Sequence, residues 1–322
     1  MLQAIAPLVK FATVCLLLIT LATLPPMSRF YLAELCSHFR VQMAMVGLIL
    51  CLMLCREQTP VFNKIRKVSW RLFAFLPVVI HFAFIVGWYL PGKSFFAAGS
   101  GKQPVRLLIA NVHTSNSQYE KLVALVEREQ PDVIALNEVD LGWLTALKPL
   151  HERYPYRLEI PQSDNFGIAI FSRLYIIHND VFALGKDQPP AIEVAVWSDD
   201  NRELTVVAAH TYPPMGNRLM NARNRQLEIL GKRMANIDGS RVLVGDFNVS
   251  MFSPYYRDLE ATTGLENARQ EFGILPTWPT RRRVMMIPID HCLHSGDIEI
   301  HDCRVGADIG SDHLPLIVDI AF

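Results

Sequence analysis

Side chains able to hold a cation or move a proton recur at or beside the ends of apolar runs in this sequence: Asn111, Glu138, His210, Asp246 with Asn248, Asp290, and Asp312 with His313. The most compact case is Arg241-Val242-Leu243-Val244-Gly245-Asp246-Phe247-Asn248-Val249-Ser250, where a carboxylate and a carboxamide stand two residues apart. Period-two alternation puts residues so spaced on one side of an extended chain, at the C-terminal edge of a strand. Hydrolytic sites are often built at such edges. Taken singly, each of these residues is an ordinary turn former, cap or satisfied histidine. Their recurrence is what points to a shared site for metal or proton chemistry.

The elements that must position them follow from the apolar periodicity. Val105 to Ala110 is a near-continuous apolar strand ending at Asn111, and Asp132 to Leu136 is a second, ending at Asn137-Glu138. Between them, Leu122, Leu125 and Val126 predict a helix over Tyr119 to Arg128 that stops at Pro131. Gly167 to Phe171 and Leu204 to Ala209 read as further strands, the latter ending at His210. A helix from about Asn217 to Ala235 leads into the Asp246 run, and Ser253-Pro254 reads as an N-cap with Pro at the first helical position. The last strands are expected at Met286 to Leu293, Ile298 to Val305 and Leu316 to Ile320. Strands interleaved with a few helices predict packed sheets covered by helices.

The first 91 residues are different in kind. Of the 322 residues 51% are hydrophobic, and the excess sits almost wholly before Pro91. Leu8 to Leu24 carries only Lys10 as a charge, Val41 to Cys55 carries none, and Leu72 to Leu90 has only His81 as an ionisable group. A span needs about 20 apolar residues. The pattern therefore predicts a membrane region over 1–91 with helices at about 8–24, 38–55 and 72–90, the second short enough to borrow from its flanks or be re-entrant. A Gly-containing linker over 92–104 and one domain over 105–322 follow. The loop between the second and third runs holds Arg56, Lys64, Arg66, Lys67 and Arg71, against Arg29 and Arg40 in the preceding loop. By the positive-inside rule the richer loop is cytoplasmic, which places the large domain outside, in the periplasm of a bacterial inner membrane.

Net charge is zero, with 31 basic and 31 acidic residues, so bulk electrostatics gives no argument for polyanion binding. The six cysteines show no zinc-like spacing. Cys292 and Cys303 flank an expected turn at Ser295-Gly296-Asp297, and in an oxidising compartment the two could pair.

In order along the chain stand Ile109-Ala110-Asn111, Leu136-Asn137-Glu138-Val139, Gly167-Ile168-Ala169-Ile170-Phe171-Ser172-Arg173, Ala209-His210, Gly245-Asp246-Phe247-Asn248, Pro276-Thr277-Trp278, Ile289-Asp290-His291 and Ser311-Asp312-His313-Leu314-Pro315. This ordered set resembles the endonuclease/exonuclease/phosphatase superfamily, the fold of pancreatic deoxyribonuclease, over the whole stretch from about Val105 onward. The resemblance implies an α+β, four-layered α/β/β/α sandwich and hydrolysis of phosphodiester or phosphomonoester bonds with Mg²⁺ or Mn²⁺. It implies His313 as general base supported by Asp290, with Asp246 and Asn248 orienting water. His210 and Asn248 would hydrogen-bond the phosphoryl oxygens, and Glu138, Asn111 and Asp312 would hold the metal. Relatives carry an additional carboxylate before the Gly167 strand. Here Asp164 and Asn165 are the local candidates, with Asn165 taken as the phosphate contact, and Arg282 of the Arg281-Arg282-Arg283 run is a second candidate. The inositol 5-phosphatase signature near Asp290 is absent. The expected partners are a nucleic-acid or lipid-linked phosphate ester and the bilayer, with no protein partner inferred. The alternative from another class is a catalytically silent, membrane-bound binding module on the same fold.

Overall fold

Twelve strands form among the described residues of the computed structural model, which describes residues 2–56, 64–91, 104–186, 188–198 and 201–322. They are β1 (Val105–Asn111), β2 (Val133–Asn137), β3 (Tyr156–Ile160), β4 (Ile168–Ser172), β5 (Tyr175–Ala183) and β6 (Pro190–Trp197). Then follow β7 (Glu203–His210), β8 (Arg241–Asp246), β9 (Glu266–Asn267), β10 (Asp290–His294), β11 (Glu299–Val305) and β12 (Leu316–Ala321). One six-stranded sheet runs β11-β12-β1-β2-β4-β3 and the other β5-β6-β7-β8-β10-β9. Each sheet has a parallel pair inside it, β1 with β2 and β7 with β8, flanked by antiparallel partners.

Side-chain alternation makes the layers. Leu107, Ile109, Val133 and Ala135 of the first sheet join Val206, Ala208, Val242 and Val244 of the second in one buried cluster. Leu108, Ala110, Ile134 and Leu136 point the other way, onto Leu122, Leu125 and Val126 of the helix Tyr119–Glu129 and onto Trp143. The helix Asn217–Ala235 buries Met220, Leu227, Leu230 and Met234 at helical spacing. Burial of each such side chain stabilises by roughly 1.5–3 kcal/mol. The result is the expected four-layered sandwich, two sheets with helices outside.

Parity also fixes where polar side chains go. Asn111 follows Leu107 and Ile109, Asn137 follows Val133 and Ala135, His210 follows Val206 and Ala208, and Asp246 follows Val242 and Val244, so all four continue the inter-sheet face. The apolar core therefore ends in a polar layer at one end of the sandwich.

Several elements depart from the expected boundaries. Strands β3, β5, β6 and the two-residue β9 lie outside the strands expected from the apolar runs. β5 is an edge strand carrying His178, Asn179 and Asp180 in its middle, and it alternates between half-buried and exposed positions rather than reading as a buried run. The strand expected from Met286 begins only at Asp290, because Pro288 has no N–H to give a ladder and Thr280–Met285 forms a 3-10 turn instead. Cys292 and Cys303 do not face each other across a hairpin. They lie on β10 and β11, which belong to different sheets, and both are buried free thiols in the inter-sheet cluster.

Gly245 is sterically required. Gly245 has φ +129°, and a Cβ there would lie 2.0 Å from the Ala209 carbonyl oxygen on the neighbouring strand. Gly245→Ala is expected to cost about 1–3 kcal/mol in backbone strain alone, with the clash added, and to lower the thermal unfolding midpoint of the purified protein. An unchanged midpoint would contradict the close approach.

The chain divides into two compact units, residues 1–87 with 252–254 and residues 88–251 with 255–322. The helices Ile5–Ala22 and Val68–Tyr89, the latter ending two residues past the first unit, are long and apolar enough to cross a membrane, or up to three spans exist if the pair Tyr31–Ser37 and Arg40–Arg56, bent by 77°, counts as one. Polar groups buried among these helices pair with one another. Thr20 Oγ1 and His81 Nε2 are 3.0 Å apart, and Arg40 donates to the Thr23 carbonyl at 3.1 Å. The expected linker at 92–104 lies, except for residue 104, outside the described residues.

Candidate active site

Strand register brings the polar layer together. In the second sheet His210 and Asp246 are register partners, and Asp246 is in turn the partner of Asp290. In the first sheet Asn111 is the partner of Asn137. Parallel neighbours finish at the same edge, and the antiparallel β10 starts there, so residues more than 100 positions apart share one end of the sandwich.

Asn111 and Asn137 tie the two sheets. The Asn111 amide donates to Glu138 Oε1 at 2.9 Å and to Asp246 Oδ2 at 3.1 Å, while its oxygen accepts the His113 N–H at 3.0 Å. Asn137 Oδ1 accepts the Asp246 N–H at 3.0 Å. The sequence alone assigns Asn137 no role, because its task depends on which strand of the other sheet lies opposite. Glu138 has φ +63°, a left-handed conformation that breaks the alternation of β2.

His313 is held between two aspartates. Its Nδ1–H donates to Asp290 Oδ2 at 2.8 Å, and its Nε2 lies 3.7 Å from Asp246 Oδ2. Both His313 and Asp290 are buried, and Ser311 Oγ accepts the His313 N–H at 3.1 Å while donating to the Asn111 carbonyl at 2.8 Å. Asp246 Oδ1 accepts the Asn248 N–H at 2.9 Å, and the Asn248 amide lies 3.3 Å from His210 Nε2. Asn248, at φ +48°, follows Phe247, which is stacked on the buried His291 with ring centroids 5.4 Å apart.

Charge states follow from burial and neighbours. Burial disfavours the His313 imidazolium, but Asp290, then Asp246 and the Asp290 hydrogen bond, outweigh it and lift His313 to about 10. Burial alone would raise Asp290, yet the adjoining His313 cation and the hydrogen bonds from His313 and Thr277 hold it below the usual carboxylate range. Asp246 is pushed up to about 7, first by burial and then by the Asp290 charge, against the pull of His313. Burial, with repulsion from His313, drives His210 down to about 4 and so keeps it neutral.

These values carry a prediction with a definite sign. The His313 imidazole should stay protonated through pH 8 in metal-free protein and release its proton near pH 10 in an NMR titration. Stability from the His313 pairing is full below its ordinary value of 6.5 and is lost as pH rises through about 10. Asp290→Asn removes the largest lifting charge and must move the titration downward. A titration left in place would dissociate the pair.

These groups border a cavity of about 400 Å³ lined by His113, Glu138, Asp164, Asn165, Phe166, His210, Pro213, Met215, Asp246, Asn248, Trp278, Asp312 and His313. His113 was missed from sequence; it sits at φ +61°, with Nδ1 3.8 Å from Asp312 Oδ1. Asp164 and Asn165 both line the cavity. Arg282 does not line it and lies exposed on the 3-10 turn, so the structure does not bring this candidate to the cavity wall. A larger depression of about 540 Å³, lined by Asp140, Leu141, Pro161, Gln162, Ser163 and Asp164, shares only Asp164 with the cavity and holds none of the strand-end groups.

Over residues 108–313 the sequence matches the endonuclease/exonuclease/phosphatase family. The chain belongs to that family. Its members are generally hydrolases of phosphate esters and typically use divalent metals. Solved structures of similar fold include an endonuclease/exonuclease/phosphatase from Beutenbergia cavernae, 18% identical with TM-score 0.57, over 69% of this chain and 72% of that one. D. rerio TDP2 complexed with single-strand DNA product is 15% identical with TM-score 0.59, over 68% and 100%. The human Nocturnin catalytic domain with bound sulfate is 19% identical with TM-score 0.55, over 68% and 93%. At these identities the likeness establishes the fold alone. No curated protein matches the sequence significantly.

Two donor sets could hold a metal ion. Asp246, Asp290 and His313 offer ligand atoms within 4.8 Å of one another, but His313 Nδ1 and Asp290 Oδ2 are committed to their mutual hydrogen bond. Glu138 and Asp312 instead present carboxylates to the cavity, as a hard divalent cation prefers. Each is oriented by a donor behind it: Glu138 Oε2 accepts the Thr114 N–H at 3.3 Å and Asp312 Oδ2 accepts the Trp278 Nε1–H at 3.0 Å. Both keep spare lone pairs, so the oxygen set fits the family's metal.

Proposed function

We propose that this chain is a membrane-anchored, divalent-metal-dependent phosphoesterase of a bacterial inner membrane. It hydrolyses a phosphodiester or phosphomonoester, in nucleic acid or a lipid-linked phosphate, by attack of water. One observation carries the reading: an Asp290-oriented imidazole lines, with its Nε2 edge unclaimed by Asp290, the same cavity as Glu138, Asp312, Asp246, Asn248 and His210.

In this reading His313, in the neutral form that the charge of a bound cation would favour, takes a proton at Nε2 from the attacking water while Asp290 fixes the tautomer and stabilises the imidazolium that forms. Asp246, placed by Asn111 and by the Asn248 backbone, orients that water. The Asn248 amide and the neutral His210 ring sit where charge grows on the phosphoryl oxygens. A Mg²⁺ or Mn²⁺ ion held by Glu138 and Asp312, steadied by Asn111, would supply Lewis-acid stabilisation there. Anchoring is supported by the apolar helices, and confinement near the bilayer slightly favours a lipid-linked substrate.

Purified full-length protein in detergent, assayed with Mg²⁺, Mn²⁺ or EDTA on single- and double-stranded DNA, RNA, phospholipids and bis(p-nitrophenyl) phosphate, tests the reading. Turnover that EDTA removes and metal restores is the expected result. Metal binding without hydrolysis of any diester would leave a binding module. Orientation is tested by fusing alkaline phosphatase after residue 100: an active fusion is expected, and an inactive one reverses the topology.

A further inference from the structure

Next to the cavity the chain makes the turn Thr280–Met285, whose sequence Thr-Arg-Arg-Arg-Val-Met concentrates positive charge in a protein of zero net charge. Arg281 through Met285 are all exposed, Val284 by 74% and Met285 by 44%. Met215, on the lining of the same cavity, is 71% exposed. Single exposed apolar residues are ordinary. Two of them contiguous with three arginines, at a cavity carrying a third, form a basic-apolar surface.

The turn is firmly tied to the site. Trp278 and Ile287 close its base as a bridge, with Ile287 N–H donating to the Trp278 carbonyl at 2.6 Å. Thr280 N–H donates to the Asp312 carbonyl at 2.9 Å, and Thr280 Oγ1 to the Ser311 carbonyl at 3.1 Å. Whatever the turn binds is thereby held beside Asp312 and His313. From Thr277 to Ile289 there is no acidic residue to oppose an anionic partner.

We propose that the Arg281–Met285 surface docks onto an anionic lipid bilayer. The arginines pair with headgroup phosphates while Val284 and Met285 enter the acyl boundary. Nucleic acid is the poorer match. Strand-binding grooves interleave cations with aromatic stacking platforms, whereas Val284 and Met285 have no π-face. This contact is separate from the membrane helices and from the hydrolytic reading, and does not depend on turnover.

Hydrogen exchange of the full-length protein in nanodiscs tests it. The backbone amides of residues 281–287 should slow on discs of phosphatidylcholine with phosphatidylglycerol, relative to phosphatidylcholine alone, and high salt should reverse the effect. Arg281→Gln with Arg283→Gln should weaken the protection about fivefold per arginine removed, and Val284→Asp should abolish it. Both variants should hydrolyse bis(p-nitrophenyl) phosphate at the unaltered rate, which separates docking from catalysis. Equal exchange on the two discs overturns the proposal. So does protection produced on neutral discs by a single-stranded oligonucleotide, which would make the turn a nucleic-acid contact.

Discussion

Replacing His313 by Ala is expected to lower kcat on a generic phosphodiester by about 10²- to 10⁴-fold, the usual contribution of a positioned base. The expectation rests on directionality. One ring nitrogen is fixed by Asp290 at 2.8 Å, so the other must face the cavity, 3.7 Å from Asp246. No other described imidazole is arranged to replace it: His210 lines the same cavity but pairs with Asn248 rather than with a buried carboxylate at hydrogen-bond distance. Removing the ring leaves a space bounded by Asp290 and Asp246 that free imidazole can enter. Millimolar imidazole should therefore restore part of the lost rate, with a pH dependence following the added imidazole rather than the protein. A merely structural histidine would show no such rescue. A His313→Ala enzyme with near-normal turnover would remove His313 from the chemistry.

The residues that carry this argument were visible in the sequence because strand alternation is a local property. Val242, Val244 and Asp246 share a face whichever sheet they join, and so do Val206, Ala208 and His210. Polar residues ending such faces announce a polar layer before any topology is known. Groups whose task depends on the partner strand were not legible. Asn137 acts by accepting a hydrogen bond from Asp246 of the other sheet, 109 positions away, and Ser311 by bridging Asn111 and His313. Thr277 stands in the Pro276-Thr277-Trp278 motif, but its contact with Asp290 exists only because residues 280–285 turn back on themselves. The β5-β6 hairpin escaped for a different reason: an edge strand with polar residues in its middle lacks the apolar run by which buried strands are recognised.

Asp246→Asn should show the opposite signs for activity and stability. The carboxylate accepts from Asn111 at 3.1 Å and from the Asn248 backbone at 2.9 Å, and it faces both His313 at 3.7 Å and His210 at 3.6 Å. An amide of the same shape keeps one acceptor oxygen but sets an N–H against a neighbouring donor or histidine, and it removes the charge beside His313. Loss of an interaction that matters in the transition state lowers kcat and kcat/KM together, here by about 10²- to 10³-fold. His313 should also titrate below its wild-type position, because Asp246 is one of the charges lifting it. Stability runs the other way. A carboxyl raised from 3.8 to about 7 in the folded state binds its proton more tightly there than when unfolded, so its contribution falls as pH rises from 3.8 through 7. The neutral amide removes that slope, and thermal unfolding at pH 8 should occur at a higher temperature in the variant. A variant that is inactive and destabilised at pH 8 would mean that Asp246 mainly holds the strand ends together. A variant that is inactive and stabilised identifies the ionised carboxylate as a strain kept for the reaction, which is the arrangement its burial between two sheets implies.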